Sequence, residues 1–214
     1  GVTHLKEGDE VLITLAEHAS NTLPWFEVAK HTGAIIKYID LDEEGKVTLE
    51  NVKKAVTEHT KIISLAQITN VLGYLAPIKE ICNFAHEHDI IVCVDGAQSA
   101  PHHAVDVQDL DVDFFAFSGH KMCGPTGVGV LYGKYHLLDE MTPTRFGGGS
   151  NARYNSCGLV KLKNAPTKFE TGTPNIEGVI GLGSAIEYLQ NIGMKNIEEH
   201  EAMLRKYALE KMKE

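Results

Sequence analysis

Apolar and polar positions divide the chain into short apolar runs and longer stretches with apolar residues every three or four positions. The runs predict β-strands and the longer stretches predict helices. The run at 90–96 is apolar almost throughout, which is typical of a central strand covered on both faces. Strands are predicted at 11–16, 34–41, 60–69, 90–96, 113–118 and 127–133, and helices at 21–33, 48–56, 76–89, 175–192 and 195–214.

The order of these segments predicts the fold class. Alternating strands and helices over residues 10–120 favour an α/β fold with a mostly parallel sheet. We therefore expect one large domain over residues 1–214, whereas residues 142–170, rich in Gly, Pro and Asn, should be irregular. Both ends look interrupted, so we expect an interior piece of a longer protein, with the helix at 195–214 leading toward a smaller domain.

Composition and charge exclude several functions. The chain has 29 acidic and 20 basic residues, a formal net charge of -9, which disfavours nucleic acid and anionic membranes as partners. No apolar run approaches the roughly 20 residues of a membrane span, and no signal peptide is visible. The four cysteines form no CxxC pair or metal-like spacing, so we expect no metal site. Cys82 and Cys93 are expected to be reduced thiols of a cytoplasmic protein, Cys123 is expected to have a packing role, and Cys157 is assigned no role.

Polar residues follow the predicted strands where an α/β sheet binds its ligands, outside the carboxyl ends. Asp95 and Lys121 come after two strongly apolar strands. An acid and an amine facing one cleft suit a cofactor that needs an amine anchor and a counter-charge. The other polar residues that follow strands and enter the predicted site are His18, Asn70, Gln98, Ser118 and His120.

The residues around Lys121 resemble a known family. Ser118–Lys121 followed by Gly124–Gly127 resembles the lysine motif that binds pyridoxal 5'-phosphate (PLP) in class V aminotransferases, and within them the SufS-type cysteine desulfurases and selenocysteine lyases. Four further segments resemble the same group, in the same order: 17–21, 69–73, 94–98 and 169–175. This resemblance implies the three-layer α/β/α large domain of a fold-type I PLP enzyme.

The resemblance implies a role for each residue nearest the cofactor ring. Lys121 would bind PLP covalently, as lysine amines do with carbonyl cofactors. Asp95 would pair with the pyridine nitrogen and keep the ring cationic, which makes it a better electron sink. His18 would stack on the ring and relay protons.

The remaining predicted contacts also follow from the resemblance. Asn70 and Gln98 would hydrogen-bond near the ring oxygen, and Ser118 and His120 would hold the phosphate. Thr173 resembles a phosphate contact donated across a dimer interface, so a homodimer is expected.

The implied reaction converts cysteine, or selenocysteine, to alanine and an enzyme persulfide, with a sulfur-acceptor protein in iron–sulfur cluster assembly as partner. The group carries its nucleophilic cysteine and substrate-binding arginine in a region that would lie after Glu214, and none of the four cysteines here matches it. We therefore expect weak or no turnover from the 214 residues alone.

Three alternatives stay open. The first is another class V PLP enzyme, an aminotransferase or a selenocysteine or sulfinate lyase; Ala19 stands where the desulfurase group usually has a second histidine. The second is a non-catalytic scaffold or interaction protein that kept the fold, disfavoured because a scaffold needs neither Lys121 nor Asp95. Taken alone, Lys121 could be a solvated surface residue and His18 a surface or capping residue. The third is a nucleotide-binding module, disfavoured because no strand–GxGxxG–helix segment is present.

Overall fold

The structure, a computed structural model, describes residues 5–213. Its main sheet has six strands in the order β2-β1-β3-β4-β5-β6. All neighbours are parallel except β5 and β6, which are antiparallel. The strands are β1 Glu10–Ile13, β2 Ile35–Tyr38, β3 Thr60–Ala66, β4 Ile91–Asp95, β5 Phe114–Ser118 and β6 Gly129–Gly133.

Helices pack on both faces of this sheet, which confirms the predicted three-layer α/β/α class. Helix α1 packs on one face through Trp25 and Phe26. Helices α2, α3 and α5 pack on the other face, and α6 packs against α5. The helices are α1 Ala19–Thr32, α2 Leu49–Ala55, α3 Ile78–His86, α4 Tyr135–Glu140, α5 Ile176–Ile192 and α6 Met194–Lys211.

The two faces of the sheet are covered unequally. The larger core lies under α2 and α3, around Ile63, Val92 and Phe115. On the opposite face, α1 covers the strands from β1 to β4 near their middles. Further along that face, Ala116 of β5 is exposed and Leu131 of β6 is 54% exposed. Within residues 5–213, the α1 side of the sheet is therefore open over β5 and β6.

Local hydrogen bonds shift the end of the first strand and the start of the first helix relative to the predicted positions. The strand predicted at 11–16 ends at Ile13, because the Thr14 hydroxyl accepts the Ala16 amide and turns the chain. The following helix begins at Ala19, two residues earlier than predicted, because the His18 side chain caps it.

The prediction that residues 142–170 are irregular is wrong in part. A hairpin forms there from β7, Asn151–Tyr154, and β8, Val160–Leu162. The Asn155 side chain closes its turn by accepting the amides of Cys157 and Leu159. Gly158 supplies the left-handed conformation that the turn needs, with φ +84°.

Two further properties describe the surface of residues 5–213. None of their helices combines the length and apolar character that crossing a membrane requires. No three of their His, Cys, Asp or Glu side chains are grouped so that they would hold a metal ion.

Candidate active site

The candidate site lies at the carboxyl ends of the central strands. Asp95 is the last residue of β4 and Ser118 the last of β5. Asp95 pairs in register with Ala116, and side chains two residues apart on a strand point to the same face. Asp95, Ala116 and Ser118 therefore face the α1 side, where the sheet is open. Lys121 follows in a short 3₁₀ turn, residues 119–121.

Asp95 and Lys121 are both partly buried, and neither is neutralised by another residue. One carboxylate oxygen of Asp95 accepts the Ala97 amide at 2.9 Å, and no cation lies within 4 Å of Asp95 among residues 5–213. The Lys121 ammonium makes no ion pair or hydrogen bond with that part of the chain either. Since partly buried charges are normally paired, an unpaired acid and an unpaired amine at one edge fit a ligand that engages both.

Backbone contacts hold the turn that carries Lys121. Gly119 donates its amide to the Val128 carbonyl at 2.9 Å, and the Gly124 amide donates to the Gly119 carbonyl at 2.9 Å. A Cβ on Gly124 would lie 2.7 Å from that carbonyl oxygen, so only glycine fits there. Buried Met122 packs with Leu182 of α5, which holds the turn against that helix.

His18 caps α1 on the same side of the sheet. Its Nδ1 accepts the Ser20 amide at 3.1 Å, so the proton of the neutral ring lies on Nε2. The capping role considered from the sequence is therefore present. Because the side chain is exposed, its ring can also contact a ligand on the open face.

Asn70 and Gln98 line one groove, whose volume is about 930 Å³ and whose lining residues do not include Asp95 or Lys121. Asn70 lies in the exposed loop after β3, and Gln98 in the turn after β4. Helix α6 forms the opposite wall, where Glu201 pairs with His102 at 2.7 Å. The structure thus places Asn70 and Gln98 on one groove, and their contact with a ring oxygen stays a prediction.

The predicted phosphate contacts are Ser118, His120 and Thr173. Ser118 is partly buried at the end of β5, and His120 is exposed in the turn beside Lys121. Thr173 is exposed before α5, and no hydrogen bond joins it to the other predicted site residues. Two residues further on, Asn175 donates to the Gly127 carbonyl in the loop after the lysine turn.

Glu17 is a site residue that the predictions left out. Its carboxylate accepts hydrogen bonds from Thr14, Asn21 and the Ala66 amide, each at 2.8 Å. Burial raises the pKa of Glu17, and the nearby charge of Asp95 raises it further. The available sequence signal was an acid directly after an apolar strand.

The cysteines differ in accessibility. Burial raises the pKa of Cys82 and of Cys93 to about 12, so neither thiol ionises near neutral pH. Cys157 is exposed in the hairpin turn, and Cys123 is exposed at φ +63° rather than packed.

An open α/β sheet with an unpaired lysine and acid beyond its central strands defines the large domain of a fold-type I PLP enzyme. The chain belongs to the class V aminotransferase family, because the family described as Aminotransferase class-V matches residues 1–214.

One curated relative and two solved structures are similar to most or all of the chain. A "Probable cysteine desulfurase" from Halalkalibacterium halodurans is 51% identical over 216 residues, covering 100% of this chain and 52% of the relative. An apo cysteine desulfurase structure from Thermococcus onnurineus has a TM-score of 0.91 and 39% identity, covering 96% of this chain and 51% of that one. A structure of C-DES, with glycine covalently linked to its PLP cofactor, has a TM-score of 0.81 and 27% identity over 91% of this chain and 52% of that one. The chain spans about half the length of the curated relatives it matches.

Proposed function

We propose that the protein is a PLP-dependent cysteine desulfurase and that this chain supplies its cofactor-binding half. The main support for this proposal is that the Asp95 carboxylate and the Lys121 ammonium lie at one open edge of the sheet and that neither has an ion-pair partner within residues 5–213. Family membership and the cysteine desulfurases among the relatives support the same reaction.

The residues around this edge suit PLP in the following way. When bound, PLP withdraws electrons from the substrate Cα. Lys121 anchors it through the side-chain amine, and Asp95 holds a proton on the pyridine nitrogen. His18 would stack on the ring, and its Nε2–H would be free for proton transfer, because Nδ1 is engaged by the cap.

The outer contacts complete the proposed site. Asn70 and Gln98 donate hydrogen bonds near the ring oxygen, and Ser118 and His120 bind the phosphate. Thr173 binds the phosphate of the partner protomer, which agrees with its exposed hydroxyl in this chain.

The proposed reaction transfers one sulfur atom. The C–S bond of cysteine breaks, an S–S bond forms on an enzyme thiol, and alanine leaves, so no external oxidant is needed. Cys82 and Cys93 do not provide that thiol, because removal from water raises the pKa of both to about 12. A carrier protein for iron–sulfur cluster assembly then accepts the sulfur.

We further propose that the protein is a cytoplasmic homodimer. Apolar side chains are exposed on α5 just after Thr173, namely Ile176, Val179 and Ile180. A second copy packing there would cover them and bring Thr173 to its site. All four cysteines are free, which agrees with a reducing compartment.

The proposed activity is tested on the purified full protein, supplied with cysteine and a thiol reductant. Equal amounts of alanine and sulfide are expected. Pyruvate and ammonia instead of alanine would identify a lyase, and no consumption of cysteine would contradict any reaction of this class.

The anchor is tested with Lys121→Ala. We expect it to abolish the visible absorbance of bound PLP, because the amine proposed to bind the cofactor covalently is removed. Lys163→Ala, at an exposed lysine of the region after the hairpin, is the control and should keep the absorbance. A PLP adduct that borohydride still reduces in the Lys121→Ala protein would assign the anchor to another lysine.

A further inference from the structure

Glu17 is a partly buried carboxylate that none of the roles above uses. No Lys, Arg or His side chain of residues 5–213 lies within 4 Å of it to form an ion pair. Burial raises the pKa of Glu17, which means that keeping it ionised costs folding free energy. Because the Glu17 carboxylate is held beside a candidate active site despite this cost, we infer that its negative charge has a function there.

The hydrogen bonds of Glu17 join three elements. Thr14 lies in the turn after β1, Asn21 in the first turn of α1, and Ala66 at the end of β3. Asn21 in turn accepts the Ser64 hydroxyl at 2.7 Å, which adds a second link between α1 and β3. The start of α1 is therefore tied to β3 by polar contacts centred on Glu17.

This network lies between two predicted cofactor contacts. His18 is the next residue along the chain, and Ala66 pairs in register with Asp95. The titratable groups that interact with Glu17 are Asp95 and Tyr74, both acids, so no cation offsets its charge. Glu17 therefore lies near Asp95, the residue proposed to pair with the pyridine nitrogen.

We propose that Glu17 is a positioning residue, which locks the turn carrying His18 onto the strand beside Asp95 and adds its negative charge to that of Asp95 toward the cofactor. The inference rests on the proposed function. It assigns to Glu17 an effect on the bound cofactor beyond its contribution to folding.

Replacing Glu17 with glutamine removes the negative charge and keeps the size and shape of the side chain. Its oxygen can accept the Asn21 and Ala66 bonds, and its amide can donate to the Thr14 hydroxyl, which is able to accept. The fold then keeps its contacts and loses the cost of a buried charge. We expect Glu17→Gln to unfold at the same temperature as the natural protein, or higher.

The test titrates the visible absorbance of PLP bound to the full protein. Removing a negative charge near the cofactor disfavours its protonated form, so the midpoint should move to lower pH by about half a unit or more in Glu17→Gln. Glu27→Gln is the matched control, because Glu27 lies on α1 but is exposed and pairs with Lys30 and His31. Its midpoint should equal that of the natural protein.

Equal midpoints in the two variants would overturn the charge role of Glu17. A lower unfolding temperature in Glu17→Gln with an unchanged midpoint would leave only a structural role and would also overturn the proposal.

A second measurement uses the protein freed of cofactor. Hydrogen exchange over residues 14–21 should rise roughly tenfold in Glu17→Ala, because the network that holds the turn is lost, and not in Glu27→Ala. Unchanged exchange would contradict the locking role. If the natural protein binds no PLP, the proposed function fails, and this measurement still decides whether Glu17 locks the turn.

Discussion

Gly96 lies directly after Asp95 and packs against the ring of Phe115, which is 2% exposed. Its amide donates to the Ala116 carbonyl at 2.8 Å, so the backbone just past Asp95 is held against β5. The absence of a side chain lets the two strands and the ring approach this closely.

Gly96→Ala should therefore destabilise the protein. The added Cβ would lie 2.0 Å from the Phe115 ring, and overpacking of this kind costs about 1–3 kcal/mol or more. Urea unfolding measures the loss, and weaker PLP binding should accompany it because Asp95 moves. Gly183→Ala on α5 is the control: nothing lies within 4 Å of its new Cβ, and helix propensity favours alanine by about 1 kcal/mol. Equal stability of both variants would show that the Phe115 ring moves aside without cost, and would contradict the prediction.

At the scale of elements, a charge network secures the end of the sheet opposite the site. Asp111, just before β5, pairs with Lys134 at 2.7 Å and with His86 of α3 at 3.0 Å. Buried Asp113 contacts the same two cations and accepts the Val92 amide. The hydrogen bond from Lys134 lowers the pKa of Asp111, and the charges of Lys134 and His86 add to this.

The lowered pKa predicts an acid-dependent stability. An acid whose folded pKa is depressed stabilises the fold above its unfolded pKa, near 3.8 here, and this contribution disappears as the pH falls through the folded value. Since Asp111 is about half exposed, Asp111→Asn should cost only about 0.5–1 kcal/mol at pH 7, and the difference should be smaller at a pH below the unfolded pKa of 3.8. Urea unfolding at the two pH values measures it.

Asp89→Asn is the matched control for this change. Asp89 and Asp111 share the left-handed backbone conformation, with φ +56° and +53°, which asparagine also tolerates. The Asp89 carboxylate makes no hydrogen bond or ion pair within the described range, so its variant should unfold like the natural protein at both pH values. If the difference in unfolding free energy between Asp111→Asn and the natural protein stayed constant across pH, the lowered pKa of Asp111 would not be its cause.

At the scale of the whole molecule, the proposed dimer depends on the apolar surface of α5. Ile180 is 67% exposed and lies seven residues after Thr173. An exposed apolar cluster beside a residue predicted to act in a partner's site indicates a protein interface.

Ile180→Asp should therefore convert the proposed dimer to a monomer, because an unpaired charge buried in an apolar interface is unfavourable. Light scattering after size exclusion measures the mass, and PLP affinity should fall as the Thr173 contact is lost. Met212→Asp, at an exposed methionine near the end of α6, should remain dimeric. A monomeric natural protein would contradict both the dimer and the role of Thr173.

The apolar pattern predicted the six strands of the main sheet and the helices on its faces, because buried strands and amphipathic helices leave strong periodic signals. It missed α4 and the β7–β8 hairpin. The hairpin strands are largely exposed, and side-chain bonds of Asn155 close the turn without an apolar period.

The residue types and their order by themselves determined the fold class, the family likeness and the positions of Asp95 and Lys121 after apolar strands. Only the tertiary structure decided that their side chains lack partners, that the α1 face is open beside them, and that Glu17 joins three elements. These properties depend on contacts between distant residues, such as the Glu17–Ala66 and Ser64–Asn21 bonds across 49 and 43 positions, which local patterns do not encode.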